Sequence, residues 1–313
     1  MKKKKEKLTK RDYKILGITA CSAIVIGTVV GVVIKRMGAP VTDYDAFANK
    51  VKEYIPDNAN IMNKYYSYIN NNDIEETDLS KNKKFTAAEM INIALNNYKN
   101  ADYSYSYTIG IGKTIQDQKI RSFQIRNKDQ YFEESISAGF VCLAKRYSQS
   151  GDNVTIYEGS LQDKNVDKSS YTDNGEDFTL DKYKEKMGRT LSDMFIYIIS
   201  DSTVIEKSIK LEDDKYYIDV TLDKDIASFY YVKQMKTISN LDSYPTFSHI
   251  KLHYEMTKDL TLLKMSSDEL YTAQCFRVNA KVHALLDTYY FQDSEYKIPS
   301  LEESINYGGL TND

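Results

Sequence analysis

From Tyr103 to Gly112 the chain alternates without a break. Tyr103, Tyr105, Tyr107, Ile109 and Ile111 take the odd positions; Ser104, Ser106, Thr108, Gly110 and Gly112 take the even ones. Successive side chains on a strand point to opposite faces, so this run predicts a strand with one bulky and one small face. Small side chains let a helix or an acyl chain approach closely, which predicts an apolar cleft on the concave side of the sheet. Further strands fit 117–126, 129–137, 139–147, 152–158, 203–211, 215–222, 247–257, 260–268, 270–280 and 282–292. Tyr, a good strand former, occurs 27 times against 11 Phe and no Trp.

The helices carry their own signals. Thr86-Ala87-Ala88-Glu89 is a capping box, with Phe85 and Met90 placed as a hydrophobic staple, and opens a helix to about Lys99. Residues 43–55 have apolar side chains at helical spacing. Pro56 ends them, and Asp57 is a cap for a second helix. Residues 37–84 read as a helical stalk and polar linker, or as part of the main domain. Helices also fit 180–199 and 224–239, the latter capped by Asp223, and 298–313 reads as a loose tail. Tight polar turns between adjacent strands imply antiparallel pairing. The predicted fold class over 85–297 is α+β, a curved antiparallel sheet with helices packed on one face.

Ahead of this domain, Ile15 to Ile34 carries no charge. A helix of that length rises about 30 Å, the thickness of the hydrocarbon core. Residues 1–36 hold ten Lys/Arg against two acids, mostly upstream of the run, which leaves 32 Lys/Arg against 43 acids in the rest. The expectation is a basic cytoplasmic tail over 1–14, a transmembrane helix over 15–34 and the C-terminal domain outside the cell membrane. Gly27 and Gly31 fit a helix-dimerisation face. The acidic body argues against nucleic acid as a partner.

No catalytic constellation is legible. His249 and His253 lie four apart on one predicted strand, about 13 Å along it, too far for one metal. His283 falls in another strand, and a structural role is read for all three. Gly110-Ile111-Gly112-Lys113-Thr114 has the end of a phosphate-loop motif, but Tyr107 stands where a Gly is needed. No enzyme activity, cofactor or metal is expected.

The order of elements, a capped helix 86–99 leading into Tyr103–Ile111, and Tyr216–Leu222 leading into 224–239, resembles the lipoprotein-carrier (LolA/LppX-like) fold. That resemblance implies a half-barrel closed by helices over an apolar concavity, and a lipid or glycolipid as ligand. The chain then reads as a membrane-anchored extracytoplasmic binding protein of the cell envelope. A short tail, one membrane helix and an outer domain also resemble subunits of type IV secretion systems. That likeness implies the alternative, a protein-interaction subunit with an envelope protein as partner.

Cys142 and Cys275 are the two cysteines beyond the apolar run. Outside a membrane such thiols oxidise, so a Cys142–Cys275 disulfide and two separate buried thiols are the two readings.

Overall fold

The computed structural model describes residues 44–71, 78–82, 84–114, 117–139, 142–161, 169–191, 193, 197–239, 241–275, 278–292 and 294–307. The alternating segments form strands β1 (Tyr103–Lys113), β2 (Gln118–Asn127), β3 (Gln130–Ala138), β4 (Leu143–Ser150) and β5 (Asn153–Leu161). Two short strands follow, β6 (Ser169–Tyr171) and β7 (Glu176–Thr179), in a stretch whose polarity gave no strand signal. Then come β8 (Val204–Glu212), β9 (Lys215–Leu222), β10 (Thr246–Thr257), β11 (Leu262–Cys275) and β12 (Val278–Gln292). The expected strands 260–268 and 270–280 are largely one long strand, because Ser266 to Asp268 pair on both sides without a turn.

All twelve strands lie in one sheet, ordered β6-β5-β4-β3-β2-β1-β12-β11-β10-β9-β8, with β7 beside β5. Each half is an antiparallel meander, and β1 against β12 joins them. Asp213 (φ 49°) and Asp214 (φ 57°) form the two-residue turn between β8 and β9. Both are left-handed, as a type I′ turn requires, and Asp tolerates that conformation.

Seven α-helices are described: α1 (Tyr44–Val51), α2 (Asn58–Ile69), α3 (Leu79–Asn82), α4 (Ala87–Asn100), α5 (Leu180–Met187), α6 (Lys224–Ala227) and α7 (Phe229–Ser239). The Thr86 capping box is complete: Glu89 N donates to Thr86 Oγ1 at 3.1 Å, and Thr86 N donates to a Glu89 carboxylate oxygen at 2.9 Å. Asp57 and Asp223 cap α2 and α6. The helix expected over 180–199 stops at Gly188, whose φ of 78° makes the left-handed C-terminal cap. Lys64 of α2 pairs with Glu89 of α4, and Met62 and Tyr65 enter the main core, so this part of the expected stalk belongs to the domain.

The helices share one face of the sheet. There α4 buries Ile91, Leu95 and Tyr98 in the core formed with Ile218, Leu252, Tyr254 and Val282. The small face of β1 serves this approach: Ser104 and Ser106 are buried, and Tyr98 meets Tyr290 edge-on at 5.0 Å. The hollows under α4 among the described residues include two of about 20 and 80 Å³. The cleft expected beside Ser104–Gly112 is therefore a packed core, because the helix fills the room that the small side chains leave.

The opposite face is divided. Over β1 to β4 it is covered by the segment after β12, expected as a loose tail. Ile305 and Tyr307 are buried among Tyr107, Phe123, Phe132 and Ile136, with Tyr296 and Ile298 alongside. This strap is fixed by a buried ion pair of Arg146 and Glu134 at 2.6 Å. Arg146 also donates to the carbonyl oxygens of Ser300 and Glu303, and Tyr307 donates to Glu134 at 3.2 Å. Over β8 to β12 the face is open.

One expectation is corrected outright. Among the described residues no helix is long and apolar enough to cross a membrane. The longest, α4, has 14 residues, about 21 Å of rise against about 30 Å of hydrocarbon. The transmembrane helix expected over 15–34, with its basic tail over 1–14, lies outside the described residues. The fold is a largely β, antiparallel-sheet domain with helices, and the membrane is not retained as anchor, partner or location.

Candidate functional site

The strand register sets the site on the open face. One row across the sheet reads Arg121, Ile109, Asp287, Ser266, His253, Asp219 and Ser208, from β2 to β8. The next row reads Lys119, Ile111, Leu285, Asp268, Lys251, Thr221 and Glu206. The sheet curls so that both rows line a single cleft of about 780 Å³, within the usual size of small-molecule sites. Ile109, Ile111 and Leu285 give it an apolar floor on one side. The other side is polar.

The carboxylates of this cleft are engaged. Asp219 accepts from Ser208 at 2.9 Å and meets His253 Nδ1 at 2.7 Å. Asp287 accepts from Ser266 at 2.5 Å and pairs with Lys264 at 3.3 Å. Glu206 accepts from Thr221 at 3.1 Å. Partial burial raises the Asp219 carboxyl, but hydrogen bonds from His253 and Ser208 outweigh it and hold the group below its ordinary value. By contrast, Lys119, Arg121 and Lys251 line the cleft with no carboxylate partner among the described residues. Four cations and four acids line the cleft, so its formal charge is balanced, but Lys119 and Arg121 stand together on β2, with Ile109 and Ile111 between them and the acids.

Ser208, Asp219 and His253 are the residue types of a hydrolase triad in the wrong order. The hydroxyl donates to the carboxylate, not to the imidazole, so the imidazole does not stand where a triad's base must.

At the edge of the cleft the three strands β10, β11 and β12 bring His249, Asp268 and His283 together. Nε2 of His249 lies 2.8 Å and Nε2 of His283 2.9 Å from the same Asp268 oxygen. Partial burial pushes Asp268 up, and the hydrogen bonds from both imidazoles more than reverse it, so its carboxyl sits below the usual range. A break in register falls between Phe247 and His249. Phe247 is buried on the helix face, as are Ile250 and Leu252. The extra residue keeps Phe247 on that face, while His249 follows the regular alternation of Lys251 and His253 on the open face. His249 and His253 do share that face, as their spacing requires. The partner of His249 is His283, two strands away, which spacing along one strand does not reveal.

A second hollow of about 660 Å³ lies against β4 and β5 near α5. Its charges are compensated, Lys145 by Glu158 at 3.1 Å and Lys186 by Glu176 at 3.5 Å.

The cysteines do not enter the site. Cys142 is a free thiol before β4. Cys275 ends β11, its side chain outside the described ones, and β3, β2, β1 and β12 stand between the two strands. That is about 24 Å along the sheet, against about 7 Å for a bridge.

No family model matches the sequence, and no curated protein matches it. Among solved structures, the crystal structure of a LolA superfamily protein from Nitrosomonas europaea matches at 9% identity. The match covers 69% of this chain and 96% of that one, with a TM-score of 0.22. A likeness of that grade assigns this chain neither a superfamily nor a role. It does not extend to a half-barrel closed by helices over an apolar concavity, and no residue role follows from it.

Proposed function

We propose that this domain is a binding module, not an enzyme, and that its open cleft takes an amphiphile with an anionic headgroup. The observation that carries this reading is the placement of Lys119 and Arg121 together at the β2 end of the cleft, beside its apolar floor. Its acids are tied to neighbouring side chains, while Lys119, Arg121 and Lys251 stand without carboxylate partners beside Ile109, Ile111 and Leu285. An acyl chain over the floor loses contact with water, at about 0.8 kcal/mol per CH₂ buried. A carboxylate or phosphate at Lys119 and Arg121 gains charge-assisted hydrogen bonds. Ser208, Ser266 and Thr221 donate their hydroxyls to carboxylates rather than to an imidazole, which argues for holding such a ligand rather than cleaving it.

The test uses the full chain and two probes, dansyl-undecanoic acid and its methyl ester. The acid is expected to bind saturably and about tenfold or more tighter than the ester, a difference of about 1.4 kcal/mol. Lys119→Glu with Arg121→Glu removes that preference. No saturable binding of the acid, or an unchanged preference in the double variant, overturns the reading.

A further inference from the structure

We propose that His249, Asp268 and His283 form a binding site for one divalent transition-metal ion of the zinc class. The site is separate from the amphiphile reading, since the ion needs none of Lys119, Arg121 or the apolar floor.

The donor atoms are already gathered. The two imidazole Nε2 atoms and one Asp268 oxygen lie within 4.8 Å of one another. Zinc bonds of about 2.0–2.2 Å place ligand atoms roughly 3–4 Å apart, so the rings need to close by about 1–2 Å between them. They are free to do so. His249, Asp268 and His283 side chains are 32%, 42% and 40% exposed, and the rings meet edge-on with centroids 6.3 Å apart. The same exposure lets an ion enter from solvent and keep water at its remaining positions.

The chemistry of the donors selects the ion. Two imidazoles and one carboxylate suit Zn²⁺, Ni²⁺, Co²⁺ or Cu²⁺, whereas Ca²⁺ and Mg²⁺ take oxygen shells. Without metal, each Nε2 carries the proton that it donates to Asp268. On binding, a neutral ring shifts that proton through water to its own Nδ1, or a protonated ring releases it to solvent; each Nε2 lone pair then takes the ion, and Asp268 becomes a ligand instead of an acceptor.

The backbone supports the arrangement. Leu270 stands opposite both His249 and His283 in the register, so the three side chains share one row with the leucine in the middle. Asp268 is two residues along β11, on the same face. His249 opens the regular ladder that runs on to Glu255, so its place in the row is set by ordinary strand alternation. His253 makes the control: it has one carboxylate close by, Asp219, and a second, Glu255, only at 3.9 Å. No second histidine lies opposite it.

The experiment takes the full chain without a polyhistidine tag, equilibrates it with ZnCl₂ and measures bound zinc per chain after dialysis, with calorimetry for affinity. One zinc per chain is expected. Asp268→Asn and His283→Ala each weaken binding about tenfold or more, and His253→Ala leaves it unchanged. Co²⁺ in the unmodified chain supplies a readout that does not depend on any variant folding: a visible d–d band of nitrogen-ligated cobalt is expected, bleached by added zinc. Absence of both bound zinc and the cobalt band overturns the proposal. So does zinc binding that survives His283→Ala and Asp268→Asn but falls in His253→Ala.

Discussion

Arg146 on β4 and Glu134 on β3 form an ion pair with 2% and 0% side-chain exposure, and the carbonyls of Ser300 and Glu303 hold the rest of the guanidinium. The pair thus ties two strands and the C-terminal strap at one point. Removing one partner of a buried pair strands the other. Arg146→Ala is expected to cost about 3–5 kcal/mol in urea unfolding. In the same variant trypsin should cleave after Lys297 faster than in the unmodified chain. Unchanged stability and cleavage would show that the strap is held by its apolar side chains alone.

Glu269 points the other way in pH. It is buried on the helix face, where hydroxyl groups of Tyr197, Tyr231 and Ser267 donate to it. Burial raises its pKa above 4.5, and those hydrogen bonds only partly offset the rise. A carboxyl raised on folding contributes stability below its unfolded value, and that contribution is lost as pH climbs through the folded value. Glu269→Gln keeps the shape and removes the charge. Its melting temperature relative to the unmodified chain should therefore rise between pH 4 and pH 8; a difference that shrinks over that range contradicts the assignment.

Gly110 is where β1 comes closest to β12. A Cβ there would lie 2.4 Å from the Leu285 carbonyl oxygen and 2.9 Å from Leu286 Cα. Both are backbone atoms in a strand paired on each side, so neither gives way easily. Gly110→Ala is expected to lower stability by about 1–3 kcal/mol, read from the midpoint of chemical unfolding.

The thiols give a simple count. With Cys142 free and four strands between it and the strand of Cys275, all three cysteines of the denatured, unreduced full chain should react with Ellman's reagent. A single reactive thiol would establish the Cys142–Cys275 bridge instead.

Local chemistry was readable and distant pairing was not. Thr86 with Glu89, Asp57, Asp223 and the Glu212–Asp214 turn act through neighbours within a few residues, and each stands where its sequence pattern placed it. Gly188 was readable but passed over, which overextended the helix at 180. The strap was missed because Tyr296, Ile298, Ile305 and Tyr307 follow no period; their apolar surface is buried by a face formed from β1 to β4. The His249–His283 juxtaposition needed the order β10-β11-β12 and the register that sets both opposite Leu270, which depend on pairing across the sheet.

The contact between β1 and β12 has a consequence for how the chain reaches this state. Ser104 stands opposite Gln292 and Lys113 opposite His283, whereas every other pair joins strands that are neighbours or next neighbours in sequence. During synthesis the outer edge of β1 has no mate until nearly the whole chain has left the ribosome. Closing so long a loop is entropically unfavourable and slow, and an open strand edge is a template for a second chain. Pairing within each half-sheet is local in sequence, but the seam between them closes late, and the strap that crosses it is laid down last. Refolding yield is therefore expected to depend on chain concentration, as productive closure competes with pairing between molecules.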